Sequence, residues 1–158
     1  MLDRASTDEE RAIVVLCGLL SLRISEAREV RPSHFDLSVP GNPVLKVRGK
    51  GDKTRTIPVA PRAWSILQPI YVSSLLHDLK FVLLSDSGAR RAWKRLGRLA
   101  ELGRPTSSHD GRATVATHMA KNGVDIRTIQ EILGHSSLET TQVYVGVSMG
   151  DMKRALDI

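Results

Sequence analysis

Aromatic side chains are scarce in this chain of 158 residues: two Trp, two Tyr and two Phe make up 4% of it. Aliphatic side chains must therefore build the core, and a broad stacking platform for single-stranded nucleic acid is disfavoured. Cysteine is nearly missing. Cys17 stands alone, so no internal disulfide can form. Its apolar neighbours make it a buried, inert thiol, in a protein suited to a reducing compartment. Long hydrophobic runs are missing too. Ala12 to Leu22 is too short to span a bilayer. It follows Asp8, Glu9 and Glu10 instead of a basic leader, and no convincing small-residue cleavage site accompanies it, which argues against a signal peptide. A cytoplasmic protein with no membrane partner is expected. There is no internal repeat or low-complexity tract. A phosphate-binding P-loop is also excluded. Upstream of Gly49-Lys50 the required glycine is Val44, and Gly51 follows the lysine where Ser or Thr is needed.

What the chain has in excess is positive charge, with a net charge of +6 at pH 7 and a sequence pI near 9.9. That balance favours a polyanionic partner, bound through phosphate neutralisation and counterion release. A hydrophobic fraction of 41% and a charged fraction of 25% suit one globular domain with a real core.

Local signals place the elements. Thr7-Asp8-Glu9-Glu10 reads as a capping box for a largely buried helix running to about Leu20. Ser21-Leu22-Arg23 turns into a second short helix capped by Ser25, which puts Arg23 at a junction between helices. Glu26, three residues on, is placed to hold its guanidinium. Val30 to Asn42 reads as a connection. Pro43 to Arg48 and Lys53 to Val59 alternate as a β-hairpin, with Lys50 between two glycines at its tip. Pro61 opens a helix that Pro69 is expected to kink or end. A Ser-Asp-Ser-Gly turn precedes a basic helix from Ala89 to Leu102. Its apolar stripe leaves Arg90, Arg91, Lys94, Arg95 and Arg98 as a cationic face, either a solvated one or, as the overall charge favours, one for a DNA backbone. Lys53 and Arg55 on the hairpin join Arg90, Arg91, Lys94 and Arg95 as expected DNA contacts. Ser107 or Ser108 caps a helix from about His109 to Asn122-Gly123, and Asp125 caps another from Ile126 to Leu133, stopped by Gly134. Ser137 starts a helix carrying Tyr144, and Met149 to Leu156 forms a last amphipathic piece. The expected fold is mainly α with a small β-hairpin or sheet (α+β).

Within Thr106 to Val145, His109 and Arg112 share one helix face, His135 follows in Leu-Gly-His, and Tyr144 comes soon after. Singly these are weak signals; their joint order and spacing is specific. The succession SLRISE, VRGKGDKTRTIPV, HDGRATVATHMAKNG and LGHSSLETTQVY resembles the catalytic domain of the tyrosine recombinases, which include phage integrases and Xer-type resolvases. The resemblance runs from the first helix to just past Tyr144.

The resemblance implies a role for each matched residue. Arg23 and Arg112 would hold the scissile phosphate, and Lys50 would protonate the leaving 5′-oxygen. His109 would contact the phosphate and move a proton, His135 would hydrogen-bond the phosphate, and Tyr144 would be the nucleophile. It further implies double-stranded DNA as partner, assembly as a tetramer on DNA, and no metal or other cofactor. The family's N-terminal core-binding domain is not among these residues, so residues 1–158 are expected to be the catalytic domain. The chemistry is self-consistent. Two guanidiniums can neutralise the non-bridging oxygens bidentately, and a phenol of ordinary pKa about 10 needs cationic neighbours to attack near neutral pH. Gly111, Ala113 and Ser21 depart from the family pattern. Gly111 is expected to weaken the first helical turn by up to about 1 kcal/mol and loosen the aim of Arg112. Three other readings stand beside this one. They are a metal-dependent phosphohydrolase using the doublets His77-Asp78 and His109-Asp110, a DNA-binding remnant or regulator that never cleaves, and topoisomerase-like nicking and relaxation.

Overall fold

Burial begins with the first long helix of the computed structural model, which describes residues 1–49 and 53–134. Helix α1 (Asp8–Gly18) opens on Thr7, whose Oγ1 accepts the Glu10 N–H at 3.2 Å. Three acidic residues in its first turn suit the positive end of the helix dipole. The returning Glu10 carboxylate closes on the N–H and hydroxyl of Ser6, at 2.9 and 3.0 Å, and not on Thr7. Ala12 to Cys17 are all buried. An amphipathic stripe would bury one face only; here the helix is wrapped, packing against α2 (Ile24–Ala27), α3 (Pro61–Ser74), α4 (Asp86–Leu99) and α5 (Ser108–Lys121).

The sheet has three antiparallel strands in the order β1 (Phe35–Asp36), β2 (Val44–Arg48) and β3 (Thr54–Pro58). In the hairpin, Leu45 lies opposite Ile57 and Val47 opposite Arg55. Leu45, Val47, Ile57 and Val59 are buried, so one face of the hairpin is core. The stretch expected to be a plain connection thus supplies an edge strand, with Phe35 opposite Leu45. Aromatic packing holds it there. The Phe35 ring lies 5.5 Å from Trp64, 5.7 Å from Tyr71 and 5.7 Å from Phe81, so four of the few aromatics form one cluster tying β1 to α3.

Pro69 neither ends nor breaks α3, which continues to Ser74. Pro69 and Ser65, whose carbonyl it leaves without a helical donor, both lie on the exposed face, where water can substitute for the lost hydrogen bond. Helix α4 starts a turn earlier than expected. Ser85 caps it, accepting the Gly88 N–H at 3.1 Å, so the Ser-Asp-Ser-Gly segment is its first turn. It stops at Leu99, and the chain then reverses through Glu101 and Gly103 at positive φ.

Ser107 caps α5 and Asp125 caps α6 (Ile126–Leu133); Gly134 in the left-handed region ends α6. These two helices share a small core of their own, Ala116, Ile129 and Leu133. The fold is mainly α with a small antiparallel sheet, as the sequence implies. The expected helices bearing Tyr144 and covering Met149 to Leu156 lie outside the described residues.

Candidate active site

Arg23, Arg112 and Arg55 converge on a single carboxylate, Glu26, from three separate elements. Each arrives for a local reason. After α1 the chain folds back on itself: the Leu20 N–H reaches Val15 and the Leu22 N–H reaches the Leu16 carbonyl, at 3.0 and 2.8 Å. Leu22 is fully buried and anchors the elbow. Arg23 then takes the N-cap position of α2, with Ser25 inside the helix instead of capping it. The Glu26 carboxylate accepts the Arg23 backbone N–H at 2.8 Å and its Nη1–H at 3.0 Å. One acid therefore caps the helix and orients the side chain. Arg23 keeps 36% of its side chain exposed, so it still faces solvent.

Arg112 is the opposite case, with 5% of its side chain exposed. It donates to the carbonyl of Ser21 and, at 2.9 Å, to that of Leu133; Glu26 lies 4.0 Å away. Ser21 adopts φ 58, a left-handed conformation that L-residues with a side chain disfavour, at the elbow whose carbonyl Arg112 binds. Its hydroxyl has no hydrogen-bond partner among the described residues.

His109 stands exposed in the first turn of α5, one turn before Arg112, where free backbone N–H groups favour an anion. The cap beneath it is tight. Ser107 donates its N–H and hydroxyl to the Asp110 carboxylate, both at 2.7 Å, and accepts the Asp110 N–H in return. Those hydrogen bonds, with Arg104 alongside, hold the Asp110 carboxyl down to about 2. Asp110 is therefore committed to the helix cap. Asp78, of the other His–Asp doublet, is likewise engaged, accepting from the N–H and hydroxyl of Ser33 at 2.8 and 2.7 Å.

Gly111 makes room for a neighbouring ring. A Cβ there would lie 2.7 and 2.8 Å from two ring atoms of Trp93, so the glycine lets α4 press its indole onto α5. Gly18 of α1 lies against the same ring edge. The departure from the family pattern is a close helix–helix contact, and Arg112 sits directly behind it.

Arg55 is the residue that sequence reasoning placed differently. Expected on the DNA surface, it turns inward with 12% of its side chain exposed. Its two terminal nitrogens bind the two Glu26 oxygens at 2.9 and 2.8 Å, and its Nε donates to the Ile132 carbonyl at 3.0 Å. Strand alternation carried the signal: Arg55 shares a face with buried Ile57 and Val59, while Thr54 and Thr56 point out. Burial pushes the Glu26 carboxyl up, but hydrogen bonds from Arg55 and the Arg23 backbone, with their charges, bring it below its ordinary value. It stays ionised amid three guanidiniums, and the cluster remains net positive.

The other cations lie elsewhere. Lys53 is exposed on the hairpin. Arg91, Lys94 and Arg98 are exposed on α4, Arg90 pairs with Asp86 at 2.6 Å, and Arg95 binds Glu10. With Arg104, several of them line an open groove between α4 and the segment leading to α5. Lys50, His135 and Tyr144 lie outside the described residues. Each of the first two directly follows a described glycine, Gly49 and Gly134. Cys17 is buried near Arg112 and Glu26, and burial pushes its thiol up to about 12, so it is no nucleophile.

A small sheet on a helical body, with Arg23 and Arg112 brought together on Glu26 and His109 one turn before Arg112 on α5, defines a domain with the tyrosine recombinase catalytic fold. A crystal structure of the XerA recombinase matches it with a TM-score of 0.78 at 30% identity, over 95% of this chain and 57% of that one. The post-cleavage complex of the XerH site-specific recombinase with a palindromic difH substrate matches in fold with a TM-score of 0.80 at 24% identity, over 99% of this chain and 49% of that one. In sequence, tyrosine recombinase XerC of Chlamydia pneumoniae is 38% identical over 152 residues, 89% of this chain and 47% of that protein. Tyrosine recombinase XerA of Thermococcus kodakarensis is 34% identical over 157 residues, 92% of this chain and 54% of that protein. The model of the phage integrase family matches residues 2–150, and the chain belongs to that family. It spans about half the length of the curated relatives it matches.

Proposed function

We propose that this chain is the catalytic domain of a site-specific DNA recombinase that cuts and rejoins strands through a 3′-phosphotyrosine, without a metal. The observation that carries the reading is the convergence of Arg23 and Arg112 on Glu26, from positions far apart in sequence. Phosphoryl transfer asks chiefly for positioning and for positive charge on the non-bridging oxygens. On this reading Arg23, exposed yet oriented, and His109 at the α5 N-terminus both serve one phosphate, with Arg112 fixing the frame and adding its charge. In the proposed step the Tyr144 oxygen attacks phosphorus as its proton leaves, and the bond from phosphorus to the 5′-oxygen breaks. Lys50 gives that oxygen a proton, and His135 hydrogen-bonds the phosphate. The tyrosyl phosphodiester is attacked in turn by a free 5′-hydroxyl, so the exchange needs no external energy source.

Double-stranded DNA is the proposed partner, with Lys53 and the α4 cations on its backbone and a tetramer on paired sites as the working assembly. The proposed location is the cytoplasm, on DNA; no described helix is long and apolar enough to cross a membrane. The test is a nicked duplex that loses a short fragment on cleavage and traps the intermediate. A covalent protein–DNA adduct should form in the presence of chelator and vanish in Tyr144→Phe. Duplex binding with no adduct on the sites of related recombinases would favour a non-cleaving DNA-binding role. Activity abolished by chelator would favour the phosphohydrolase. Relaxation of supercoils without strand exchange would point to a topoisomerase-like activity.

A further inference from the structure

Arg55 does more than neutralise a buried acid. A Cβ on Gly134 would lie 2.8 Å from its Nη1 and 3.0 Å from its Cδ and Cζ, so the chain leaving α6 runs directly over the guanidinium. A Cβ on Gly49 would lie 3.6 Å from the same Nη1 and 3.7 Å from the Glu26 Oε1. The Arg55–Glu26 pair is therefore a platform crossed by two backbone segments, each at a glycine. The next residue in one is Lys50 and in the other His135. The same pair braces Arg23 through Glu26 and, through the Ile132 carbonyl, fixes the turn of α6 whose next carbonyl, that of Leu133, binds Arg112.

We propose that Arg55 is a positioning residue: its fork holds Glu26, the end of α6 and the two glycines in one frame and cancels the carboxylate that would otherwise oppose a bound phosphate. This rests on the reading of the chain as a strand-cleaving domain. A planar, permanently charged fork can bind both oxygens of Glu26 while its Nε serves the carbonyl; a lysine cannot do both.

The test is single-turnover cleavage of the trapping duplex at saturating protein, with binding and thermal midpoint measured on each variant. Arg55→Met should bind duplex like the parent but cleave about 100-fold more slowly, the scale of a displaced catalytic frame. Arg55→Lys should fall between the two. Adding Glu26→Gln to Arg55→Met should recover about tenfold of the rate, because the neutral amide no longer opposes the phosphate; a merely structural role predicts no recovery. Parental cleavage in Arg55→Met, or a double variant no faster than the single one, overturns the proposal. If Arg55→Met fails to fold, Arg55→Lys with and without Glu26→Gln decides by the same comparison. Amide hydrogen exchange at Gly49 and Gly134, whose N–H groups bond Lys53 and Glu131 carbonyls, separates the two readings. If the parent forms no adduct, the strand-cleavage reading fails, and with it the catalytic part of this one. Faster exchange at both glycines in Arg55→Lys, with α4 unchanged, still supports the frame, and unchanged exchange overturns it.

Discussion

Arg23, Arg55 and Arg112 share one carboxylate, whereas Arg91, Lys94 and Arg98 lie exposed along α4. The inner set is held by a caged acid and three backbone carbonyls, so its geometry is fixed before any ligand arrives. The outer set is free to follow a phosphate backbone and is screened by salt. Under the proposed function the same cationic chemistry would serve two ends: rigid charge aimed at one phosphorus, and mobile charge supplying affinity.

The comparison breaks if inner and outer substitutions behave alike. The largest effect is expected for Arg112→Ala, which strips the donor from the buried carbonyls of Ser21 and Leu133, at about 1–3 kcal/mol each. A stability loss of about 3 kcal/mol should appear in urea unfolding, with cleavage abolished. Gly111→Ala comes next. The clash with Trp93 outweighs the gain in helix propensity, for a net loss of about 1–2 kcal/mol by thermal melting. Ser21→Gly should run the other way, raising stability by about 1 kcal/mol as the left-handed conformation becomes free of strain. A loss there would mean that the hydroxyl has a task. The smallest change in stability, within about 0.5 kcal/mol, is expected for Arg91→Ala and Lys94→Ala. Each should lower the slope of log affinity against log salt by about 1 and leave the rate at saturating DNA intact. A rate defect at saturation would move those residues into the inner class.

Much of this was legible in the chain. The caps at Thr7, Ser107 and Asp125, the stop at Gly134 and the pairing of Arg23 with Glu26 all rest on interactions within a few residues, and local spacing reports them. What escaped depends on distant partners. Nothing near Gly111 announces that Trp93 needs the space, and nothing near Phe35 announces the ring cluster that makes an edge strand of a loop. Pro69 reads as a breaker until one knows that its side of α3 faces water. Arg55 was legible in principle, since alternation sets it beside Ile57. Its charge argued for the surface, and only the burial of Glu26 reverses that.

The indole of Trp93 lies at the seam between the two sets, on the helix that bears the outer cations and against the helix that bears Arg112. The chain has one other tryptophan, Trp64, in the aromatic cluster that ties β1 to α3. With Trp64 replaced by Phe, the tryptophan emission of the protein would come from that seam alone. It would make an intrinsic optical gauge of how engagement at one surface is felt at the other.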